Sequence, residues 1–250
     1  MSYLDNFHYT LSKDAHSKKL VFLHGLMGSG ANWGRISREF RNTFQVLTYD
    51  QRGHGASFKP IAGYQPEDFA DDLDGILDAL MWDKVFLAGH SMGGRGALNF
   101  AHRFPGRIEK LVIEDVGPGT SASNIKKIEN LLSLVPTPFP SKAAARHFFM
   151  AGEFESRLAT NLNGKILGRY FYSNIVQTEN GTADWRFSKE AMLKSIHAGF
   201  GTDRWHEVRE LEVPTLIIRG EHSDYLTVDD FNRFKSASPM VKLKFPRSFS

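Results

Sequence analysis

The chain contains no cysteine among its 250 residues. Disulfide bonds, catalysis by a thiolate and metal sites with cysteine ligands are therefore excluded. No stretch approaches the roughly 18 consecutive apolar residues of a membrane-spanning helix, and the first 14 residues lack the apolar segment of a secretory signal. From these absences we expect a cytoplasmic protein without a membrane span.

The sequence also has little imbalance of charge. Its 31 basic and 28 acidic residues give a net charge of +3, and the lysines and arginines are scattered among acids rather than gathered in runs. A nucleic-acid partner is therefore not expected. With 41% hydrophobic and 24% charged residues, the chain has an ordinary globular composition and is long enough for one large α/β domain with a buried core.

The most informative motif present is the segment Ala88–Gly94, with the sequence A-G-H-S-M-G-G. An apolar, β-prone segment, Lys84–Leu87, precedes it, and Arg95–Ala101, with helical spacing, follows it. A strand, a sharp turn and a helix would place Ser91 at the tip of the turn, an arrangement called a nucleophile elbow. The flanking glycines leave room for the strained backbone of such a serine. The motif alone fits a bystander serine in a glycine-rich turn equally well.

Strand and helix patterns alternate over the first 118 residues. Strands are predicted at Phe7–Leu11, Lys19–Leu23, Phe44–Tyr49, the elbow and Arg107–Glu114, and helices at Asn32–Phe40, with Asn32 as its N-cap, and Pro66–Leu80. Such alternation is typical of an α/β fold, a mostly parallel sheet with helices on both faces. Ligands collect at the carboxyl ends of such strands, and His24, Asp50, Ser91 and Asp115 fall there.

The alternation stops between residues 119 and 209. Helices are predicted there at Ile125–Leu134, Ser141–Met150 and Ser156–Tyr172. The sheet pattern then resumes with the strand Val213–Arg219, the helix Thr227–Ser236 and the strand Met240–Phe245. We therefore expect one domain, with a core of residues 1–118 and 210–250 and an inserted segment of residues 119–209.

Three further motifs point to one family. They are His24-Gly25 after the first long strand, Asp50-x-Arg52-Gly53-x-Gly55-x-Ser57 after the next strand, and Gly220-Glu221-His222-Ser223-Asp224 after the insertion. With the elbow, and over essentially the whole chain, the sequence resembles the α/β-hydrolase superfamily. It is most similar there to small serine esterases and thioesterases with a helical cap. The resemblance implies an α/β-hydrolase fold with that cap inserted between strands 6 and 7.

The resemblance also implies roles for site residues. Ser91 would attack an acyl carbonyl and form an acyl-enzyme, with the backbone N–H groups of Leu26 and Met92 stabilising the oxyanion. Two carboxylates compete for the acid that orients the catalytic histidine. Asp224 follows the strand after the cap and is slightly preferred, whereas Asp115 ends the strand that follows the elbow helix.

The histidine of the family follows its last strand and precedes a closing helix, and this sequence has neither. No histidine occurs after His222, and the chain ends with Pro246–Ser250. Three explanations stay open: the chain is truncated or frame-shifted, another histidine such as His222 substitutes, or the protein is not a hydrolase. Truncation is favoured. Without the closing helix, truncation predicts uncovered apolar surface and lower stability. It also predicts a poor hydrolase, since loss of a triad member costs on the order of 10⁴ to 10⁶ in rate.

The cap is rich in aromatic residues, most of which are expected to pack it onto the core. The aromatic segments are His147–Met150, Tyr170–Tyr172 and Trp185–Phe187. The remainder would line an apolar acyl pocket together with Met27 and Met92. His24 and His90 are further candidates for contact with the substrate, although His24, like Arg52 and His54, is better explained as bracing its loop.

We therefore expect a monomer or homodimer that cleaves a small apolar acyl ester or thioester without a cofactor or metal. Other chemistry of the same fold, such as C–C bond hydrolysis or cofactor-free peroxidation, is one alternative. The other is a non-catalytic binding protein that keeps the fold and lacks the base.

Overall fold

A computed structural model of the chain describes residues 2–13, 16–119, 121–158, 163–198 and 202–245. Nine strands lie in these residues: β1 (Tyr9–Leu11), β2 (Lys19–Leu23), β3 (Gln45–Tyr49), β4 (Val85–His90), β5 (Ile108–Glu114), β6 (Ile175–Gln177), β7 (Ala183–Trp185), β8 (Thr215–Ile218) and β9 (Val241–Lys244). Seven of them form one sheet in the order β1-β3-β2-β4-β5-β8-β9. Strand β1 is antiparallel to β3, and the other neighbours in this sheet are parallel.

The strands of this sheet confirm the pattern seen in the sequence, with ends displaced by no more than three residues. In β2 the last four residues are buried on both faces of the sheet, which is why a parallel central strand has a continuous apolar run instead of an alternating one. The fold is the predicted mostly parallel α/β sheet.

Ten helices accompany the strands in the described residues. They are α1 (Gly34–Phe40), α2 (Pro66–Ala79), α3 (Met92–Arg103), α4 (Ala122–Ser133), α5 (Lys142–Met150), α6 (Glu153–Ser156), α7 (Gly164–Ser173), α8 (Lys189–Ala198), α9 (Trp205–Arg209) and α10 (Val228–Ala237). In α2, proline opens the first turn and Phe69, Leu73 and Ile76 form a buried stripe. Helices α2, α3, α9 and α10 contribute to the cluster that covers one face of the sheet, and Trp33 packs on the other face.

Two helix predictions were wrong. Asn32 does not cap α1 but lies inside a 3₁₀ turn, Gly30–Trp33, where its side chain accepts a hydrogen bond from the Ser29 N–H at 2.6 Å. The helix predicted over residues 156–172 begins too early: α6 already ends at Ser156, and α7 begins at Gly164. The Asn163 side chain accepts from the Ile166 N–H and starts α7 as a new helix, and residues 159–162 between them lie outside the described residues.

The cap has an apolar cluster of its own. Helices α4 to α8 and the β6–β7 hairpin lie between β5 and β8, so in this chain's own count the cap follows the fifth strand of the main sheet. Aromatic side chains dominate the cluster, namely Phe139, Phe148, Phe149, Phe154, Phe171, Trp185 and Phe187. Leu26, Met27 and Phe69 of the core pack into the same cluster and join the cap to the sheet. The hairpin and α8 were not predicted.

The other face of the sheet carries an open apolar groove of about 1000 Å³. Its lining includes Leu20, Phe22, Phe86, Val112, Leu216 and Ile218. Within the described residues no helix follows α10, and residues 246–250, where the sequence ends, are not among them. None of the described helices has both the length and the apolar character needed to cross a membrane.

Candidate active site

Ser91 occupies a sharp turn between the end of β4 and the start of α3. Its backbone angles are φ 53° and ψ −119°, a conformation that costs a non-glycine residue strain. The Ser91 N–H donates to the Glu114 carbonyl of β5 at 3.0 Å, and the Ser91 carbonyl accepts from the Arg95 N–H at 3.1 Å. The turn is therefore held from the neighbouring strand and from the first turn of α3.

The glycines on either side of the serine allow close backbone approach. A Cβ atom at Gly89 would lie 2.4 Å from the carbonyl oxygen of Gly93, and a Cβ atom at Gly93 would lie 2.6 Å from the carbonyl oxygen of His24. These neighbours are backbone atoms that cannot move aside. Both positions therefore need glycine, as the elbow motif predicted.

The loop after β2 passes beside Ser91. A Cβ atom at Gly25 would lie 3.2 Å from the Ser91 Cβ. The Gly25 carbonyl accepts from the Gly28 N–H at 3.0 Å and faces His24 Nδ1 at 2.8 Å, so the peptide that carries the Leu26 N–H has a fixed orientation. Met92 is the first residue of α3, and its N–H has no acceptor within the helix.

A cleft with about 620 Å³ of empty space, counting its mouth, opens at Ser91. It is lined by Leu26, Tyr64, Pro66, Phe69, Met92, Arg95, Val116, Asn124, Ile128, Ser195, Ile196 and Tyr225. Most of these side chains are apolar, and the cap contributes through α4 and α8. The arrangement suits an apolar group bound next to the serine.

His24 was expected either to brace its loop or to contact the substrate, and its hydrogen bonds show that it stabilises the loop. Its side chain is buried, Nδ1 donates to the Gly25 carbonyl, and Nε2 accepts from the Gln51 N–H at 2.9 Å. Burial lowers the pKa of His24 to about 4 and that of His54, whose ring lies edge-on to it, well below the usual value. Both rings are neutral parts of the scaffold.

Arg52 is likewise structural, as expected. Its guanidinium donates two hydrogen bonds to the buried Asp72 carboxylate at 2.5 and 2.6 Å and a third to the Gly63 carbonyl. These contacts tie the loop after β3 to α2. The loop therefore supports the site without facing the serine.

The other two expected substrate contacts do not line the Ser91 cleft. Met27 has a positive φ of 61° and packs into the cap cluster. The exposed His90 lines a separate cavity together with Trp33 and Tyr170. Of the two methionines expected in the pocket, Met92 alone lines the cleft. The predicted aromatic segments of the cap pack inside the cap.

The two candidate acids have different surroundings. Asp115, at the end of β5, is half-buried with a positive φ of 57°, and its carboxylate accepts from the Gly220 N–H at 3.0 Å. Asp224 is exposed and lies 3.4 Å from the ammonium group of Lys127 on α4. His222, two residues before it, is exposed as well.

All ten histidines lie in the described residues, and none of them makes a hydrogen bond to the Ser91 hydroxyl there. The same residues hold no group of three or more histidine or acidic side chains that could bind a metal ion. In the described residues the geometry therefore shows an elbow, two candidate oxyanion donors and the half-buried Asp115, but no imidazole that is hydrogen-bonded to the Ser91 hydroxyl.

A family model described as the alpha/beta hydrolase fold matches residues 18–247. The chain belongs to the α/β-hydrolase family. This α/β hydrolase is 28% identical over 236 residues to an sn-1-specific diacylglycerol lipase of Danio rerio, covering 92% of this chain and 71% of the relative. It is 26% identical over 219 residues to esterase YbfF of Escherichia coli, with 87% and 80% covered.

Solved structures agree with these relatives. A marine microorganism esterase superposes with a TM-score of 0.79 at 29% identity, covering 96% of this chain and 90% of that protein. Together the relatives support a hydrolase of the esterase or lipase type.

Sequence reasoning missed several residues of this hydrolase's cleft. Ile128 of α4 and Ile196 of α8 line the cleft from the cap. Ile196 was missed because α8 was not predicted, and Ile128 was missed because no sequence signal indicated which side of α4 faces the cleft. Arg95 was also missed, although its position four residues after Ser91 on α3 places it on the same helix face. Burial lowers the pKa of Arg95 to about 10, and its Nη2 donates to the Gly119 carbonyl at 2.6 Å.

Proposed function

We propose that this α/β hydrolase cleaves carboxylic esters or thioesters with an apolar acyl group through an acyl-enzyme on Ser91. The observation that carries the proposal is the strained Ser91 backbone at the mouth of an apolar cleft. Strain of this kind persists only where the surroundings impose it, and it presents the hydroxyl at the tip of the turn. Esterases and a lipase among the relatives support the same reaction class.

In this mechanism the Ser91 oxygen attacks the acyl carbon, and the carbonyl oxygen gains negative charge. The N–H groups of Leu26 and Met92 stabilise that charge, aided by the positive end of α3. Collapse of the intermediate releases the alcohol or thiol and leaves the acyl group on Ser91. Water then attacks the ester, and the acid is released.

We infer that Asp115, not Asp224, is the acid of the triad. Asp115 is half-buried, adjoins the elbow strand and has one carboxylate oxygen held by the Gly220 N–H. Such an oriented carboxylate suits the task of holding an imidazole in one tautomer. The exposed Asp224 instead lies beside Lys127, where solvent screens its charge.

We propose that this chain by itself is a weak hydrolase because no base for Ser91 is found in its described residues. Attack by Ser91 needs a group that removes its proton, and none of the described histidines makes a hydrogen bond to its hydroxyl. An imidazole supplied in solution would restore this step if the rest of the site is correctly arranged.

The test is hydrolysis of p-nitrophenyl butyrate with increasing imidazole, for the wild-type chain and Ser91→Ala. We expect the hydrolysis rate of the wild type to rise and saturate with imidazole concentration. In Ser91→Ala the rate should rise only linearly, as it does when free imidazole acts on the ester. Labelling by a fluorophosphonate probe, with and without imidazole, reports on the same serine. Identical behaviour of the two proteins would contradict the serine mechanism and favour the second candidate, a binding protein with this cleft.

A further inference from the structure

A tyrosine of the cap is bonded to the loop that carries one oxyanion donor. Tyr170 lies on α7, 144 residues from Leu26 in the chain, and its hydroxyl donates to the Leu26 carbonyl oxygen at 3.0 Å. The hydroxyl also lies against the next turn of the loop, since a Cβ atom at Gly28 would come within 3.1 Å of it. Burial raises the pKa of Tyr170, so the hydroxyl keeps its proton and stays a donor.

The loop needs such an anchor because its backbone is strained. Met27 follows Leu26 and has a φ of 61°, a left-handed conformation that a side chain disfavours. On one side of Leu26, the Gly25 carbonyl is held by the Gly28 N–H and His24. On the other side, the Leu26–Met27 peptide is held by Tyr170. Strained backbone of this kind relaxes when its tethers are removed.

We propose that Tyr170 is a positioning residue for the oxyanion hole, fixing the Leu26–Met27 peptide so that the Leu26 N–H faces the position of the oxyanion beside Ser91. The inference rests on the proposed function of Ser91 and extends it to the cap. Tyr170 does not itself line the Ser91 cleft and reaches the site only through Leu26. It makes the docked cap a condition for a complete oxyanion hole, because α7 packs into the cap cluster through Phe171.

The test compares Tyr170→Phe with Tyr172→Phe. Each variant removes one hydroxyl from the same helix, but Tyr172 lies over the Lys142 ammonium group and not against the loop. We expect Tyr170→Phe to lower imidazole-dependent kcat by about 10-fold and to change KM by less than about twofold. This effect is smaller than the roughly 10²- to 10³-fold loss in kcat that follows removal of an oxyanion donor itself. Affinity for butylboronic acid, which forms a tetrahedral adduct with a serine, should fall by the same factor as kcat. Tyr172→Phe should retain wild-type values.

Amide hydrogen exchange in residues 24–29 supplies a readout that does not need activity. The proposal is supported if this loop exchanges faster in Tyr170→Phe at an unchanged melting temperature, and if its exchange in Tyr172→Phe equals that of the wild type. An unchanged kcat and unchanged boronate affinity in Tyr170→Phe overturn the proposal while the function of Ser91 stands. If instead the wild type shows no Ser91-dependent hydrolysis or labelling, the proposed function fails, and the exchange of this loop alone decides whether Tyr170 anchors it.

Discussion

His24 and Gln51 are joined by two hydrogen bonds: the Gln51 N–H donates to His24 Nε2 at 2.9 Å, and the Gln51 side-chain amide donates to the His24 carbonyl at 2.6 Å. Since His24 Nδ1 already donates to Gly25, a proton on Nε2 would face another N–H group. The fold therefore requires the neutral ring, and the loops after β2 and β3 depend on it.

This relationship predicts a loss of stability in mild acid. Histidine in the unfolded chain titrates near 6.5, whereas burial lowers the pKa of His24 to about 4 in the folded protein. As pH falls from 6.5 towards 4, the unfolded chain binds a proton that the folded chain does not, so the free energy of unfolding decreases. His24 alone should account for about 2 to 3 kcal/mol between pH 7.5 and 4.5.

Urea unfolding across that pH range measures this loss. His24→Gln should start less stable and show a shallower pH dependence, whereas His147→Gln, at an exposed position on α5, should keep the wild-type slope. A wild-type stability that stays constant down to pH 4.5 would be inconsistent with neutral buried rings.

The choice between the two acids predicts unequal effects of matched substitutions. Asp115→Asn retains an oxygen for the Gly220 N–H but removes the charge that stabilises an imidazolium. We expect it to lower imidazole-dependent kcat by at least about 100-fold. Asp224→Asn, at the exposed ion pair with Lys127, should change kcat by less than about twofold. The opposite ranking would return Asp224 to the role that the sequence alone slightly favoured.

The close packing around the elbow glycines predicts that alanine destabilises the protein there but not at a glycine with open space around it. Gly89→Ala places a methyl group 2.4 Å from a backbone oxygen, so we expect a destabilisation of about 1 to 3 kcal/mol and loss of Ser91 labelling. Gly106 has no neighbour within 4 Å of an added Cβ, and Gly106→Ala should be close to neutral. Thermal unfolding of both variants checks the prediction, which is contradicted if they are equally stable.

A buried ion pair between α9 and its preceding loop predicts a large stability effect away from the cleft. Glu207 accepts from Arg204 and from Asn99 of α3, and its side chain is 2% exposed. Glu207→Gln leaves the buried guanidinium of Arg204 with a weaker partner and should cost about 3 kcal/mol. Glu67 also pairs with Arg204 but is 43% exposed, so Glu67→Gln should cost less than about 1 kcal/mol in urea unfolding. Equal costs would show that burial does not control this network.

The fold and the sharp turn at Ser91 were predictable because their signals are local. The apolar run of β2, the stripe of α2 and the G-x-S-x-G spacing each lie within a few neighbouring residues, and the structure places all three as expected. Misplaced helix ends came from competing local bonds. Asn32 closes a turn instead of capping α1, and Asn163 caps α7, which begins well inside the segment that was predicted to be helical.

The motifs of the sequence resembled those of the α/β hydrolases, and its short-range patterning predicted where the strands lie along the chain and that Ser91 lies at a sharp turn. Only the tertiary structure decided that Ile128 and Ile196 line the cleft and that Tyr170 is bonded to Leu26. Those contacts depend on how the cap docks on the sheet. Residues that are more than a hundred positions apart meet there, and their contact leaves no periodicity in the chain.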